Sequence, residues 1–216
     1  MRGHPIRQIL WTLSALENAL KRSVSIGVIC TALLLSAAAF GQQFDAAFGV
    51  GTLTSPSASE ASGEHLPQTL GGGTYLNFSG GLLLKHQLGF NGEVAWRASQ
   101  NLYAGVQPFR PILFDFNGVY APQRGNIGGE FMAGIGVESV RFYQPFFTCN
   151  FVSCTDYSSS NHFLGHFGAA FRWYPYGNFF IRPEAHLYLI NNNFEFSSSR
   201  ATRFGVSIGY SFKPGF

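Results

Sequence analysis

Strict alternation of residue type is the feature that most constrains what this chain can fold into. In the last stretch, Phe204, Val206 and Ile208 alternate with Gly205 and Ser207. Successive side chains of a strand point to opposite faces, so such a stretch predicts a β-strand with one apolar and one small or polar face. Eight segments of this kind run over residues 44–53, 74–83, 88–97, 112–120, 130–138, 163–173, 181–189 and 203–212.

The connections between the segments alternate in length. They are long over residues 54–73, 99–110 and 142–162, short over 84–87, 121–126 and 174–178, and intermediate over 191–199. Short turns at one end and longer loops at the other are typical of membrane β-barrels whose chain ends lie on the short-turn side. A soluble lipocalin-like barrel is the alternative fold, and it requires the apolar faces to point inward.

The composition favours a face in hydrocarbon. Charged residues make up 12% of the chain, against about 25% in an ordinary soluble domain, while aromatic residues reach 16%. Aromatic residues near segment ends, including Tyr174, Phe179, Tyr210 and Phe212, predict girdles at the two membrane interfaces. We therefore expect an all-β protein, an eight-stranded antiparallel up-and-down transmembrane β-barrel over residues 42–216.

The first 41 residues have the pattern of an export signal. Lys21 and Arg22 precede an apolar run over residues 24–35, and small residues follow up to Gly41, near which we expect cleavage. Because the stretch from Leu20 would make a conventional leader by itself, we expect the true start codon near residue 20. The leader carries a net charge of +3, from four basic residues and one acidic residue, and leaves ten basic and ten acidic residues in the mature chain. Nucleic-acid binding is therefore not expected.

The final segment also carries a resemblance. Gly205, Ile208, Tyr210 and Phe212 are similar to the C-terminal assembly signal of bacterial outer-membrane barrels, and the whole mature chain resembles the small eight-stranded family that includes the OmpA membrane domain and OmpX. The resemblance implies localisation in the bacterial outer membrane. It also implies contact with outer-membrane lipid and lipopolysaccharide, and recognition by the barrel-assembly machinery. The chain departs from the family pattern because residues 213–216 follow the expected terminal aromatic residue.

The inward faces predict a lumen filled with polar side chains. Eight strands enclose a space only wide enough for side chains, which excludes a wide pore. Buried charges must be paired, so six carboxylates and four guanidinium groups predict a plug of ion pairs with two adjustable histidines. The expected lumen network comprises Asp45, Glu93, Arg97, Asp115, Glu130, Glu138, His166, Arg172, Arg182, Glu184, His186 and Arg203. A narrow gated channel for small solutes is the alternative.

Two cysteines lie in the connection between the fifth and sixth segments. Cys149 and Cys154 are separated by four residues and are expected to face an oxidising compartment, so a disulfide is expected. It would shape a loop tip rich in aromatic residues, through which a structural or surface-interacting protein could contact an unknown extracellular partner.

No metal site, cofactor or enzymatic activity is expected. His162 and His166 are four residues apart, which on a strand separates them by roughly 13 Å, too far for one ion. Lipid A-modifying outer-membrane enzymes are the alternative, and the deacylases among them use a His-x-Ser pair on one strand face. The nearest analogue, His186 followed by Tyr188, lacks the serine, and no serine beside a histidine and a carboxylate is evident in the sequence.

Overall fold

The computed structural model describes residues 43–56, 69–84, 87–149, 154–193, 195–196 and 198–212, without the side chains of 147–149. The described residues form ten strands: β1 Gln43–Thr54, β2 Thr74–Leu83, β3 Leu88–Arg97, β4 Asn101–Tyr103, β5 Gln107–Tyr120, β6 Gln123–Arg124, β7 Ile127–Cys149, β8 Cys154–Tyr176, β9 Phe179–Ile190 and β10 Arg200–Phe212. Within these ranges, no helix has the length and hydropathy needed to cross a membrane.

Eight of these strands close into an antiparallel barrel. Each wall strand pairs with its neighbours in chain order, and β1 pairs with β10 over eleven registered positions from Phe44 opposite Phe212 to Thr54 opposite Thr202. The remaining two strands, β4 and β6, are short and pair only with β5 and β7, respectively. The long connections lie at one end, the loop end, and the short turns at the other, the turn end. The expected eight-stranded up-and-down barrel is thus confirmed.

The barrel is polar inside and apolar outside. Phe48, Ile135 and Phe163 expose 51%, 59% and 56% of their surface, whereas Glu130 and His166 are completely buried. Inward and outward residues alternate along every wall strand because side chains of a strand point to opposite faces. A lipocalin-like barrel would need its apolar faces to point inward. Here they point outward, so that alternative fold is wrong.

The longest predicted loop is largely a β-hairpin. The strands β7 and β8 have 23 residues each and remain paired well past the predicted segment ends, with Arg141 opposite Ser159 and Tyr143 opposite Tyr157. The register shifts between Tyr143 and Thr148. The loop prediction was wrong here because alternation marks only the part of a strand that separates apolar from polar surroundings, whereas backbone pairing continues where both faces meet water. For the same reason β4 and the start of β5 lie in the predicted 99–110 loop.

Aromatic side chains form a girdle on the outer surface of the barrel, at its turn end. The rings of Phe44, Phe212, Tyr210 and Phe179 follow one another with centroid separations of 5.8, 4.8 and 5.0 Å. Tyr174 was wrongly expected in this girdle. It is 96% buried, since it shares the inward face of β8 with Arg172 and packs on Phe180 inside the lumen.

Candidate functional site

The part of the lumen below the loop end, towards the turn end, contains a continuous chain of ion pairs. Arg172 contacts Asp45 and donates from Nε to Glu130 Oε2 at 2.5 Å. Arg182 lies next to it, with Nη1 3.5 Å from Glu130 Oε2 and Nε donating to Glu184 Oε2 at 2.9 Å. All five side chains are buried. Each charge therefore has at least one opposite charge in reach, as removal from water requires.

The chain of ion pairs continues across the lumen through Arg203. This guanidinium contacts Glu93 and donates to Glu184 Oε1 at 3.2 Å. Asn77 donates from Nδ2 to the same Glu184 oxygen at 3.0 Å and to Ser207 Oγ at 3.2 Å. The network thereby links β2, β3, β9 and β10, so it braces opposite walls of the barrel.

A layer of histidines lies beside this network. His166 Nε2 is 2.9 Å from His186 Nδ1, and the two rings stack at 5.1 Å. His166 Nδ1 lies 2.6 Å from Asn117 Oδ1 and 3.6 Å from Asp115, while the Tyr188 ring stacks on His166 at 5.0 Å. The two histidines thereby connect the chain of ion pairs to the ring of Tyr188.

One group of three possible metal ligands occurs in the described part of the chain: Glu93, Glu184 and His186, whose ligand atoms lie within 4.8 Å of one another. Arg203 already contacts both carboxylates, and Arg182 donates to Glu184. The guanidinium groups thus hold the positive charge that a bound cation would bring, and like charges at this spacing repel.

Arg97 and Glu138 stand apart from the network in which they were expected. Both are buried, yet no ion pair within the described ranges includes either of them. Two Arg97 nitrogens and both Glu138 oxygens lack a hydrogen-bond partner there. The strand register explains this for Glu138, which lies opposite His162 near the loop end, whereas Glu130 lies opposite Ala170, nearer the turn end. Sequence alternation assigned the face correctly but carried no information on height along the barrel.

An apolar cap closes the lumen at the loop end. Its centre is aromatic: Phe109 and Phe196 are completely buried with rings 5.1 Å apart, and the Tyr103 ring lies 5.3 Å from that of Phe142. The Tyr103 hydroxyl donates to the carbonyl of Glu195 at 3.1 Å. The other buried members are Leu53, Leu70, Tyr75, Ala95, Leu113, Val140, Leu164, Tyr188, Ile190 and Ala201. Sequence reasoning missed the cap because it searched the inward faces for charge.

The part of the lumen near the turn end contains a small cavity. A cavity of about 10 Å³ lies between Asp45, Asn91 and Arg172 near the turn end. This is about the smallest space that can hold a single water molecule. Below it, Ala47, Tyr174 and Phe180 form a second apolar cluster. The ion-pair layer is thus enclosed between apolar groups at both ends.

The loop end brings together a serine, a histidine and a carboxylate, a combination that we wrongly judged absent from the sequence. Ser160 and His162 are two residues apart on one face of β8, which the sequence does display, and the fold adds Glu195. Ser160 Oγ lies 3.1 Å from His162 Nε2 and 2.5 Å from Glu195 Oε1, and His162 Nε2 lies 3.0 Å from Glu195 Oε2. A catalytic triad needs the two ring nitrogens for different partners, one for the nucleophile and one for the carboxylate. Here Nε2 of His162 contacts both other groups, and the three side chains link β8 to the β9–β10 connection.

The two cysteines of the β7–β8 hairpin lie opposite each other. Cys149 and Cys154 are Cα partners in the strand register. Directly opposed residues of an antiparallel pair have Cα atoms about 4.5–5.5 Å apart, within the range of a disulfide. The Cys149 side chain lies outside the described residues, and so do residues 1–41 and 213–216.

Comparison with solved structures shows which class of protein has this fold. Neisserial surface protein A matches with a TM-score of 0.54 and 10% identity, covering 80% of this chain and 97% of its own. Ail, the attachment invasion locus protein of Yersinia pestis, solved with the heparin analogue sucrose octasulfate, matches with a TM-score of 0.50 and 10% identity, covering 79% and 97%.

Both are small outer-membrane barrels, and this chain has their fold. The resemblance seen in the sequence is confirmed at the level of architecture. No protein-family model and no curated protein matches the chain.

Proposed function

We propose that this protein is a non-conducting outer-membrane barrel that displays its loop end, above all the β7–β8 hairpin, at the bacterial surface. The observation that carries the proposal is the double closure of the lumen, by buried ion pairs and by the aromatic cap around Phe109 and Phe196. A permeating ion would have to displace both layers, and the centre of the cap, formed by the rings of Phe109 and Phe196, is apolar. The role that follows is structural or surface-interacting.

Electrical recording tests the closed lumen. The refolded protein inserted into planar bilayers is expected to give no stable discrete conductance. Stable unitary currents at moderate voltage would instead favour the narrow gated channel that the sequence left as an alternative.

The exposed hairpin is the element we assign to surface contact. Beyond Val137 and Phe163 the outward residues become polar, while the two strands stay paired as far as Tyr143 and Tyr157. A strain lacking the protein would be complemented with the full chain or with a variant in which a short turn replaces residues 145–156. Both should restore the envelope's resistance to a small dye, and only the full chain should restore surface adhesion. Equal adhesion by the two would remove the hairpin from this role.

We also propose that the first 41 residues are an export leader. Residues 1–41 are expected to be removed on export, with cleavage near Gly41 and a true start near Leu20. N-terminal sequencing of the precursor and of the mature protein decides both points. A mature protein that retains residues 1–41 would contradict the proposed export route.

Enzymatic activity is not part of the proposal. In the cluster of Ser160, His162 and Glu195, one imidazole nitrogen, Nε2, contacts both the serine hydroxyl and the carboxylate, whereas a catalytic triad uses a different ring nitrogen for each. Overexpression is therefore expected to leave the mass spectrum of lipid A unchanged. The appearance of a deacylated species, and its loss in Ser160→Ala, would establish an enzyme.

A further inference from the structure

The outer wall of the barrel has an apolar band whose upper edge can be located. Outward residues of β7 and β8 are apolar or glycine from the pair Ile127 and Trp173 up to the pair Val137 and Phe163. The span from 127 to 137 is ten residues, which corresponds to roughly 25 Å along the membrane normal at ~3.3 Å per residue and a tilt of ~40°. This equals the expected height of the hydrocarbon-facing band of an outer-membrane barrel.

Two arginines face outward above this edge on neighbouring strands. Arg110 of β5 and Arg141 of β7 are Cα partners, and alternation places them on the same face as Phe114 and Val137. They lie four residues beyond those two, so their Cα atoms are roughly 10 Å above the band at the same rise and tilt. That is the level of lipid headgroups.

Both arginines rest on tyrosine rings. The guanidinium carbon of Arg141 lies 4.8 Å from the centre of the Tyr157 ring, and that of Arg110 lies 6.0 Å from the centre of the Tyr143 ring. The two rings are themselves 6.1 Å apart. Stacking of this kind orients the planar guanidinium groups and leaves their edges free to donate hydrogen bonds.

Among the described residues, neither arginine has an acidic partner. In the part of the chain that the structure describes, no ion pair includes Arg110 or Arg141, and Arg110 Nε has no hydrogen-bond partner. Arg110 Nη2 donates to the carbonyl of Ala98 at 3.4 Å. Like charges directly opposite each other on paired strands destabilise a sheet. An anion bound between the two arginines would relieve this repulsion.

We propose that Arg110 and Arg141, with Tyr143 and Tyr157 behind them, bind the phosphate group of an outer-leaflet glycolipid. Paired guanidinium groups match a phosphate, because each presents a planar fork of donors to its oxygens. The acyl chains of the same lipid would lie on the exposed rings of Phe114 and Phe163 below. The inference goes beyond the proposed surface role and rests only on the membrane orientation of the barrel.

Lipid retention in nanodiscs tests this site. The full mature chain would be placed in phosphatidylcholine nanodiscs containing a small fraction of bisphosphorylated lipid A, or of the same lipid A after removal of both phosphates. Bound lipid would be counted by native mass spectrometry after release from the disc. The wild type is expected to retain phosphorylated lipid A in preference to the dephosphorylated form.

The matched variants are Arg110→Gln with Arg141→Gln, and Arg124→Gln with Arg200→Gln, which removes two charges from other rim positions. The first pair should lower retention of phosphorylated lipid A about tenfold or more, and the second should leave it nearly unchanged. Equal retention by the first pair and the wild type, or an equal loss in both pairs, would overturn the proposal. Heat-modifiable gel migration confirms that each variant is folded. A protein that also conducts would contradict the proposed function without affecting this result.

Discussion

At the scale of single residues, the buried charges are partnered from strands far apart in the sequence. Arg182 of β9 donates to Ser79 of β2 at 2.9 Å as well as to Glu184 on its own strand, and it approaches Glu130 of β7. A buried ion pair contributes little net stability compared with an apolar replacement of both partners. Its loss on one side is costly, because the remaining charge stays buried without compensation.

Arg182→Met tests this asymmetry. The substitution leaves Glu130 and Glu184 with fewer opposite charges, so we expect the free energy of unfolding to fall by about 3–5 kcal/mol. Urea unfolding in detergent micelles measures it. Adding Glu184→Gln should recover part of the loss, and Arg124→Met at an exposed position should change little. A loss as large at Arg124 would contradict the argument.

Inward glycines are required where neighbouring strands leave no room for a Cβ atom. A Cβ on the inward Gly136 would lie 2.0 Å from the carbonyl oxygen of Phe114, whereas a Cβ on Gly118, which faces outward, would find its nearest neighbour at 3.8 Å. Gly136→Ala should therefore destabilise the barrel by about 1–3 kcal/mol, and Gly118→Ala should be nearly neutral. Urea unfolding in detergent micelles measures both variants. Equal losses of stability would show that the neighbouring strands can shift to make room for the added Cβ atom.

At the scale of elements, the β7–β8 hairpin combines a membrane-spanning part with a projecting part in one continuous pair of strands. Cys149 and Cys154 are Cα partners near its tip, and we expect a disulfide between them. Mass mapping of unreduced peptides should find the cross-linked pair. The double substitution Cys149→Ser with Cys154→Ser should cost at most roughly 2 kcal/mol, since the ring is small, and leave the barrel folded. Recovery of both cysteines as free thiols would exclude the bond.

At the scale of the whole molecule, closure depends on two layers of different chemistry. Phe109→Ala with Phe196→Ala empties the centre of the aromatic cap but leaves the ion pairs of Arg172, Arg182 and Arg203 beneath it. We expect this variant to remain non-conducting in planar bilayers and to lose stability through the cavity. Stable currents from it would show that the cap alone closes the lumen.

The barrel could be predicted from the pattern of single segments. Alternation assigns Asp45, Glu93 and Arg203 to one face and Phe48 and Ile208 to the other, because the period of a strand is local and needs no knowledge of its neighbours. The alternation of long and short connections, together with the composition, then predicted that the apolar face lies on the outside of the barrel. The terminal segment was correctly placed as the last wall strand, and its role as an assembly signal through Gly205, Ile208, Tyr210 and Phe212 stays a prediction.

Which of those faces meet, and at what height along the barrel, could not be predicted from single segments. Register between strands separates Glu138 from the main network, pairs Arg110 with Arg141, and brings Ser160 to Glu195. Each of these depends on how strands distant in the sequence are staggered around the barrel, which hydrogen bonding across the closed sheet sets and no single strand encodes.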